Sequence, residues 1–225
     1  MMSAGQPQLS RSDLKTDLLI CFAVKHELGD RVRSSGVPVL ITGMGQRNAE
    51  TSLGRYLEHH RPAAVFTCGF AGSLNPAHKR GDILFAHDPE IQIAEALTAG
   101  SAKAARFRLS PQVIASAEEK AMLFALTGAD AVEMESVAIR AICKKRGIPS
   151  ATIRVVLDEA DEDLPVDFNR ILTRRMNINY LKLMLMIVRR PALIRGLLQM
   201  QKHSAEAAER LDQALAPLLG QGNRV

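Results

Sequence analysis

Five places in this chain carry residues able to do chemistry. Lys25-His26-Glu27 follows one apolar run, and Asp158 closes another. Two glycine pairs also follow apolar runs, Gly43 with Gly45 and Gly69 with Gly72, and Glu133-Met134-Glu135-Ser136 leads into a helical pattern. Carboxylates can give or take protons and can hold hydroxyls, while glycine-rich turns and nearby cations such as Lys25 and Arg47 can meet an anion. Taken singly, each has a bland reading. Glycine after a strand usually makes only a tight turn, and a first-turn glutamate is favoured by the helix dipole. The acidic stretch 158–163 lacks the ligand spacing of a calcium loop. The combination is more informative.

Those residues need elements to position them. Residues 18–24 (LLICFAV), 37–42 (VPVLIT), 63–68 (AAVFTC), 82–86 (DILFA) and 150–157 (SATIRVVL) are apolar runs without alternation, as in strands buried on both faces. Ala49, Leu53, Tyr56 and Leu57 share one face of a predicted helix over 48–60, stopped by Pro62. A second helix is predicted over 134–146 and ends at Gly147. Buried strands alternating with helices, with glycine at strand ends, predict an α/β sheet whose ligands gather beyond the strand carboxyl ends.

Composition closes off other classes. With 225 residues the chain suits one α/β domain. It has no Trp and only 4% aromatic residues, too few for a reader that stacks bases on aromatic platforms, so no nucleic-acid partner is expected. Cys21, Cys68 and Cys143 stand in apolar surroundings at unrelated spacings, which reads as buried reduced thiols in a cytoplasmic protein. The six histidines form no paired spacing, so no metal site is expected. The polar stretch 1–17 lacks the apolar core of a signal peptide, and 183–188 falls well short of the roughly 20 residues of a spanning helix. Charge divides sharply: residues 1–169 hold 19 Lys/Arg against 21 Asp/Glu, whereas 170–225 hold 10 against 3.

Four segments, in order, resemble the nucleoside phosphorylase and nucleosidase superfamily, especially the methylthioadenosine/S-adenosylhomocysteine nucleosidases. They are AVKHELG (23–29), ITGMGQRNAE (41–50), VFTCGFAGSLNPAHKRGDILFA (65–86) and AVEMESVAIRAICKKRGIPSATIRVVLDEAD (131–161). The resemblance implies a single-domain three-layer α/β/α fold with a central, mostly parallel mixed sheet. Its catalytic core would span 18–168, and 169–225 would be a basic amphipathic helical extension of the same domain. It further implies cleavage of a purine N-glycosidic bond. Asp158 would then be the acid at purine N7, its pKa raised by the apolar strand behind it. Glu135 would hold the ribose hydroxyls, with Met134 packed on the sugar and Phe70, Ala71 and Gly72 as further substrate contacts. Glu27 would be the base that activates water. Gly43, Gly45, Lys25 and Arg47 would form the anion or water site. Phosphorylases of this superfamily carry a phosphate-gripping Gly-Asp-Pro-x-Arg turn where this chain has Val24-Lys25-His26-Glu27, and a carboxylate there repels an anion. Hydrolysis is favoured, and phosphate stays open as a co-substrate; no other cofactor is expected.

Departures bear on the substrate. Only about a dozen residues join the first two strands, so part of the usual pocket rim is missing. The nucleosidases' base-reading Ser-Gly-Asp-x-Phe is here Ser116-Ala117-Glu118-Glu119-Lys120, without its stacking aromatic, so adenine is expected from the family alone. Residues 113–136, 164–168 and 189–198 resemble a narrower branch, the hopanoid-associated phosphorylase-like proteins, whose proposed substrate is an adenosine with a polycyclic lipid at its 5′ end. The tail offers two apolar faces: Met176, Tyr180, Leu183 and Ile187 to dock on the sheet, and Ile178, Leu181, Leu185 and Val188 to spare. Pro191 is predicted to open a further helix carrying Leu193, Leu197, Leu198 and Met200. The spare face suits a subunit contact in a homo-oligomer, a dimer, or peripheral contact with an anionic membrane or a lipid-tailed substrate at the inner membrane face. Alternatives are an ordinary methylthioadenosine/S-adenosylhomocysteine nucleosidase, a phosphate-dependent purine nucleoside phosphorylase, and a non-catalytic nucleoside- or lipid-binding module.

Overall fold

The computed structural model describes residues 17–219. The N-terminal stretch 1–16 and residues 220–225 of the expected extension lie outside them. Strands β1 (Leu18–Phe22), β2 (Val39–Ile41), β3 (Ala64–Ser73), β4 (Ile83–His87), β5 (Lys103–Ala104), β6 (Phe107–Leu109), β7 (Ala131–Glu133) and β8 (Ser150–Asp158) form one sheet. Its spine runs β2-β1-β3-β8-β4-β5. The pairs β1–β2, β1–β3 and β3–β8 are parallel, whereas β4 meets β8 antiparallel. β7 pairs antiparallel with the far end of β3, and β6 runs parallel beside β7. The sheet is mostly parallel and mixed, in a single domain, as the sequence predicts.

Helices cover both faces, and period-two alternation within β1 shows how. Leu18, Ile20 and Phe22 pack with Ala96 and Leu97 of α3 (Ala94–Ala99) and with Ala207, Leu211 and Leu215, while Val32 of α1 (Asp30–Ser34) joins them. Leu19 and Cys21 point the other way, onto Ala49, Leu53 and Leu57 of α2 (Gln46–His59) and Ile139 and Cys143 of α5 (Ser136–Arg146). Helix α4 (Ala117–Thr127), whose Leu123 and Phe124 pack with Leu74, Ala129 and Val132, is started by the Ser116 hydroxyl, which accepts from Glu119 N–H, and stopped by Gly128 in the left-handed region. The chain then closes with α6 (Tyr180–Arg189) and α7 (Leu193–Leu215). The end of α7 belongs to the main core. Its Asp212 carboxylate accepts from Arg31 N–H (3.0 Å) and Val32 N–H (3.1 Å), capping α1 from across the molecule.

Element edges differ from expectation where side chains intervene. β3 runs on to Ser73, so 69–72 is extended strand rather than a turn. β1 stops at Phe22, and Lys25–Glu27 form a 3-10 turn. Helix α5 begins at Ser136 with Glu135 just outside it, and α2 begins earlier than residue 48, at Gln46. Tyr180 is 73% exposed, so it stands on the outer face of α6 and leaves Leu183, Met186 and Ile187 to face inward. The three thiols are buried and free.

Candidate active site

Two of the three predicted acids, Glu27 and Glu135, are tied to backbone N–H groups, and Asp158 is held by a side chain. The Glu27 carboxylate folds back over the end of β1. Its Oε2 accepts from Ala23 N–H (3.0 Å) and Val24 N–H (3.1 Å), and its Oε1 accepts from Phe70 N–H in β3 (3.1 Å). This approach explains Gly69: a Cβ there would lie 2.7 Å from Glu27 Oε1 and 2.9 Å from Arg154 Nη1. Glu135 caps the chain ahead of α5, and its Oε1 accepts from Gly45 N–H at 2.7 Å. Gly45 has φ 85°, a left-handed conformation that aims the N–H at the carboxylate. Asp158, the last residue of β8, lies beside Gly72 after an irregularity in the β3–β8 register.

All three acids line one cavity of about 680 Å³. Glu27, Glu133, Glu135 and Asp158 share its strand-end wall with Met134, Phe70, Ala71 and Gly72. The opposite wall is aliphatic and comes from the tail, with Ile178, Leu183, Leu197 and Met200. The residues expected at the anion site fall elsewhere. Lys25 and Arg47 are exposed and do not line the cavity. Gly45 N–H is engaged by Glu135, and Gly43 N–H donates to the Ala23 carbonyl (3.0 Å), so Met44 alone of that turn reaches the cavity.

A family model, the phosphorylase superfamily, matches residues 31–103 and 105–189. The chain belongs to the phosphorylase superfamily. Its fold is similar to futalosine hydrolase of Helicobacter pylori strain 26695, at TM-score 0.67 and 17% identity over 91% of this chain and 97% of that one. Helicobacter pylori 5′-methylthioadenosine/S-adenosyl homocysteine nucleosidase, solved with a bound ligand, matches at TM-score 0.64 and 16% identity over 89% and 96%. S-adenosylhomocysteine nucleosidase from Streptococcus pyogenes, in complex with 5-methylthiotubericidin, gives 0.66 and 14% over 92% and 97%. Membership places the chain among N-glycosidases and nucleoside phosphorylases.

Within this superfamily fold, electrostatics concentrates on one buried cation. Arg154 of β8 is 2% exposed; its Nη2 donates to Glu133 Oε2 (2.9 Å) and Thr67 Oγ1 (3.1 Å) and lies 3.8 Å from Glu135 Oε2. Glu133 Oε2 in turn accepts from the N–H groups of Glu135 (2.9 Å) and Ser136 (2.6 Å), fixing the entry to α5. Glu27, Glu133 and Glu135 thus share a single guanidinium. Burial pushes the Glu135 carboxyl up to about 7, opposed by Arg154 and reinforced by Glu133. Burial also raises Glu27, with Arg154 and the backbone donors opposing it. Burial alone would lower the Arg154 guanidinium, but Glu133, Glu135 and Glu27 together raise it.

Four residues of the site have roles that sequence reasoning does not give. Arg154 sits inside a strand pattern and Glu133 stands in the acidic stretch ahead of the second helix, and their pairing shows only in space. Phe168, from the 3-10 turn Phe168–Arg170, lines the cavity and supplies an aromatic from a segment other than the expected one. The fourth is Lys120, fully buried, with its Nζ 2.6 Å from Asp158 Oδ2 and donating to the Glu159 and Glu162 carbonyls at 2.7 Å each. It occupies the position where the nucleosidases carry their aromatic. Burial raises the Asp158 carboxyl, and the Lys120 ammonium offsets part of that rise. The signal for Lys120 is inverted: α4 exposes Met122 and Leu126 and buries its lysine.

Proposed function

We propose that this superfamily member hydrolyses the N-glycosidic bond of a purine nucleoside, with adenine as the base, whose 5′ carbon carries a large apolar group of the polycyclic-lipid, hopanoid kind. One observation carries the reading: a single cavity sets titratable acids on one wall and aliphatic side chains on the other. Its volume, about 680 Å³, lies in the range of about 300–1,000 Å³ typical of small-molecule pockets and leaves room beyond a nucleoside.

The reaction needs three groups, and the wall holds one for each. Water attacks the sugar C1′ and yields its proton to Glu27, whose burial makes it a stronger base than an ordinary glutamate. The C1′–N9 bond breaks with its electron pair going to the base, and Asp158 delivers a proton to N7. Lys120, donating into the same carboxylate, holds Asp158 in orientation. Glu135 takes the ribose hydroxyls, and the surrounding carboxylates favour the positive charge that develops on the sugar. No lysine or arginine appears among the cavity-lining residues, and Lys120 and Arg154 behind the wall are already paired with Asp158 and Glu133, so a phosphate dianion would meet carboxylates first. This supports water over phosphate as nucleophile.

The test is base release from adenosines with 5′ methylthio and 5′ long-chain alkyl groups, with and without phosphate. The reading expects free sugar rather than sugar 1-phosphate, a preference for the long chain, and a loss of about 10²–10⁴ in rate for Asp158→Asn. Wild-type rates in that variant overturn the assignment.

A further inference from the structure

The helices that roof the cavity have a second face that the proposed reaction does not use. No residue of α6 is buried, and the first buried residue of α7 is Ala207. Their inner side chains, Leu183, Leu197 and Met200, line the cavity. Their outer side is apolar and open: Leu181 and Val188 are each 72% exposed, and Met184, Leu185, Ile194 and Leu198 stand exposed with them. Arg190, Pro191 and Ala192 join α6 to α7, and because both helices turn their inner side chains to the same cavity, their outer sides together form the outside of its roof.

Charge around this surface has one sign. Residues 168–205 contain eight Lys/Arg and no Asp or Glu. Lys182, Arg189, Arg190 and Arg195 are exposed beside the apolar side chains. Aliphatic residues flanked by cations alone are the composition of a helix that lies in a lipid–water interface. A second copy of this chain is a poorer occupant. A two-fold contact sets a patch against itself, which would bring Lys182, Arg189, Arg190 and Arg195 against their own copies. No helix among the described residues is long and apolar enough to cross a membrane.

We infer that the outer face of the α6–α7 hairpin docks on the surface of an anionic lipid bilayer, apolar side chains in the acyl boundary and arginines among the headgroups. The docking stands on the exposed face and its charge; that it brings lipid-tailed nucleosides to the cavity rests on the function proposed above. Because the inner faces of the same helices line the cavity, a docked hairpin sets the apolar end of the cavity next to the bilayer.

The experiment is flotation of the full chain with vesicles of phosphatidylglycerol mixed into phosphatidylcholine, and with phosphatidylcholine alone. Partition onto the anionic vesicles is expected to exceed that onto neutral ones by about tenfold or more at low salt. It should fall toward the neutral level near 1 M salt, where the screening length shrinks to about 3 Å. Two variants separate the contributions: Leu181→Ser with Leu185→Ser and Val188→Ser, and Arg189→Gln with Arg190→Gln and Arg195→Gln. Both should lose vesicle binding while releasing base from methylthioadenosine at the wild-type rate, which also shows that they fold. Equal binding to both vesicle types overturns the inference, as does no binding to either. So does a wild-type dimer that the serine variant dissolves, since the occupant is then a second copy. Vesicle binding and base release are read separately, so failure of one proposal is distinguishable from failure of the other.

Discussion

The two walls of the cavity are built on different principles. The strand-end wall is rigid: Glu27 and Glu135 are each held by backbone N–H donors, and Asp158 is held by Lys120. The roof is a hairpin of half-exposed helices anchored at one end, where Ala207, Leu211 and Leu215 enter the core. Groups that move protons must be placed to fractions of an ångström, and buried sheet ends do that. A surface that accepts a bulky apolar group has no such demand, and flexible side chains such as Met200 suit it. Changes to the first wall should therefore affect chemistry and folding, and changes to the second should affect only which substrate is used.

The largest effect is expected on the first wall. Arg154→Met would leave Glu27, Glu133 and Glu135 buried around no cation. Removing one partner of a buried ion pair typically costs about 3–5 kcal/mol, so urea denaturation should show a loss of that order. The double variant with Glu133→Gln should recover part of it. Equal stability of wild type and Arg154→Met would show that the carboxylates are already neutral in the fold.

Glu135→Gln should separate activity from stability. The wild-type carboxyl has its pKa raised from 4.5 to about 7 in the fold. A raised carboxyl favours folding while it is protonated, so its contribution is full below pH 4.5 and is lost as the pH climbs through about 7. By pH 8 the difference approaches about 3 kcal/mol. The glutamine variant should be inactive yet less sensitive to pH between these limits, with a higher melting temperature than wild type at pH 8. Parallel melting curves for the two proteins from pH 5 to 8 would remove Glu135 as the titrating group.

Lys120→Met should move a pH profile more than a melting point. Without its ammonium, the Asp158 carboxyl is free to rise further under burial. In the proposed reaction the proton on Asp158 is the one delivered to the base, so the alkaline limb of kcat should move to higher pH, by about one to three pH units. A limb left in place would mean that another group sets it.

How much of this could be read beforehand follows the same division. The apolar runs 18–24 and 150–157 are visible because strands buried on both faces leave an unbroken apolar signature; the strands themselves end at Phe22 and Asp158. Glu27 and Asp158 are visible because they follow such runs, and Glu135 because it leads into a helical pattern. The stretch 69–72 misleads because glycine has two uses: it suggests a turn, whereas Gly69 makes room for Glu27 and Arg154 inside a strand. Lys120 and Arg154 are invisible for a different reason. Each is a charged residue whose partner lies on another element: Lys120 meets Asp158 only when α4 reaches β8, and Arg154 meets Glu133 only when β8 and β7 join one sheet. Periodicity reports which face of an element is apolar, not which buried charge meets which.

The smallest expected effect tests the roof. Leu197 lies on the inner side of α7 and lines the cavity with an aliphatic side chain. Contacts between an aliphatic pocket and an apolar ligand are worth about 1–3 kcal/mol per methylene. Leu197→Ala should therefore raise KM for a long-chain 5′-alkyl adenosine by about tenfold. The kcat for that substrate should be unchanged, because uniform binding is lost rather than transition-state stabilisation. Methylthioadenosine, whose 5′ group is a single methylthio, should keep both constants. If KM rises equally for the two substrates, the roof closes over the nucleoside itself, and the division between a chemical wall and a selecting wall fails. If only the long chain suffers, the tail helices act as a specificity element added to a reaction site that works without them.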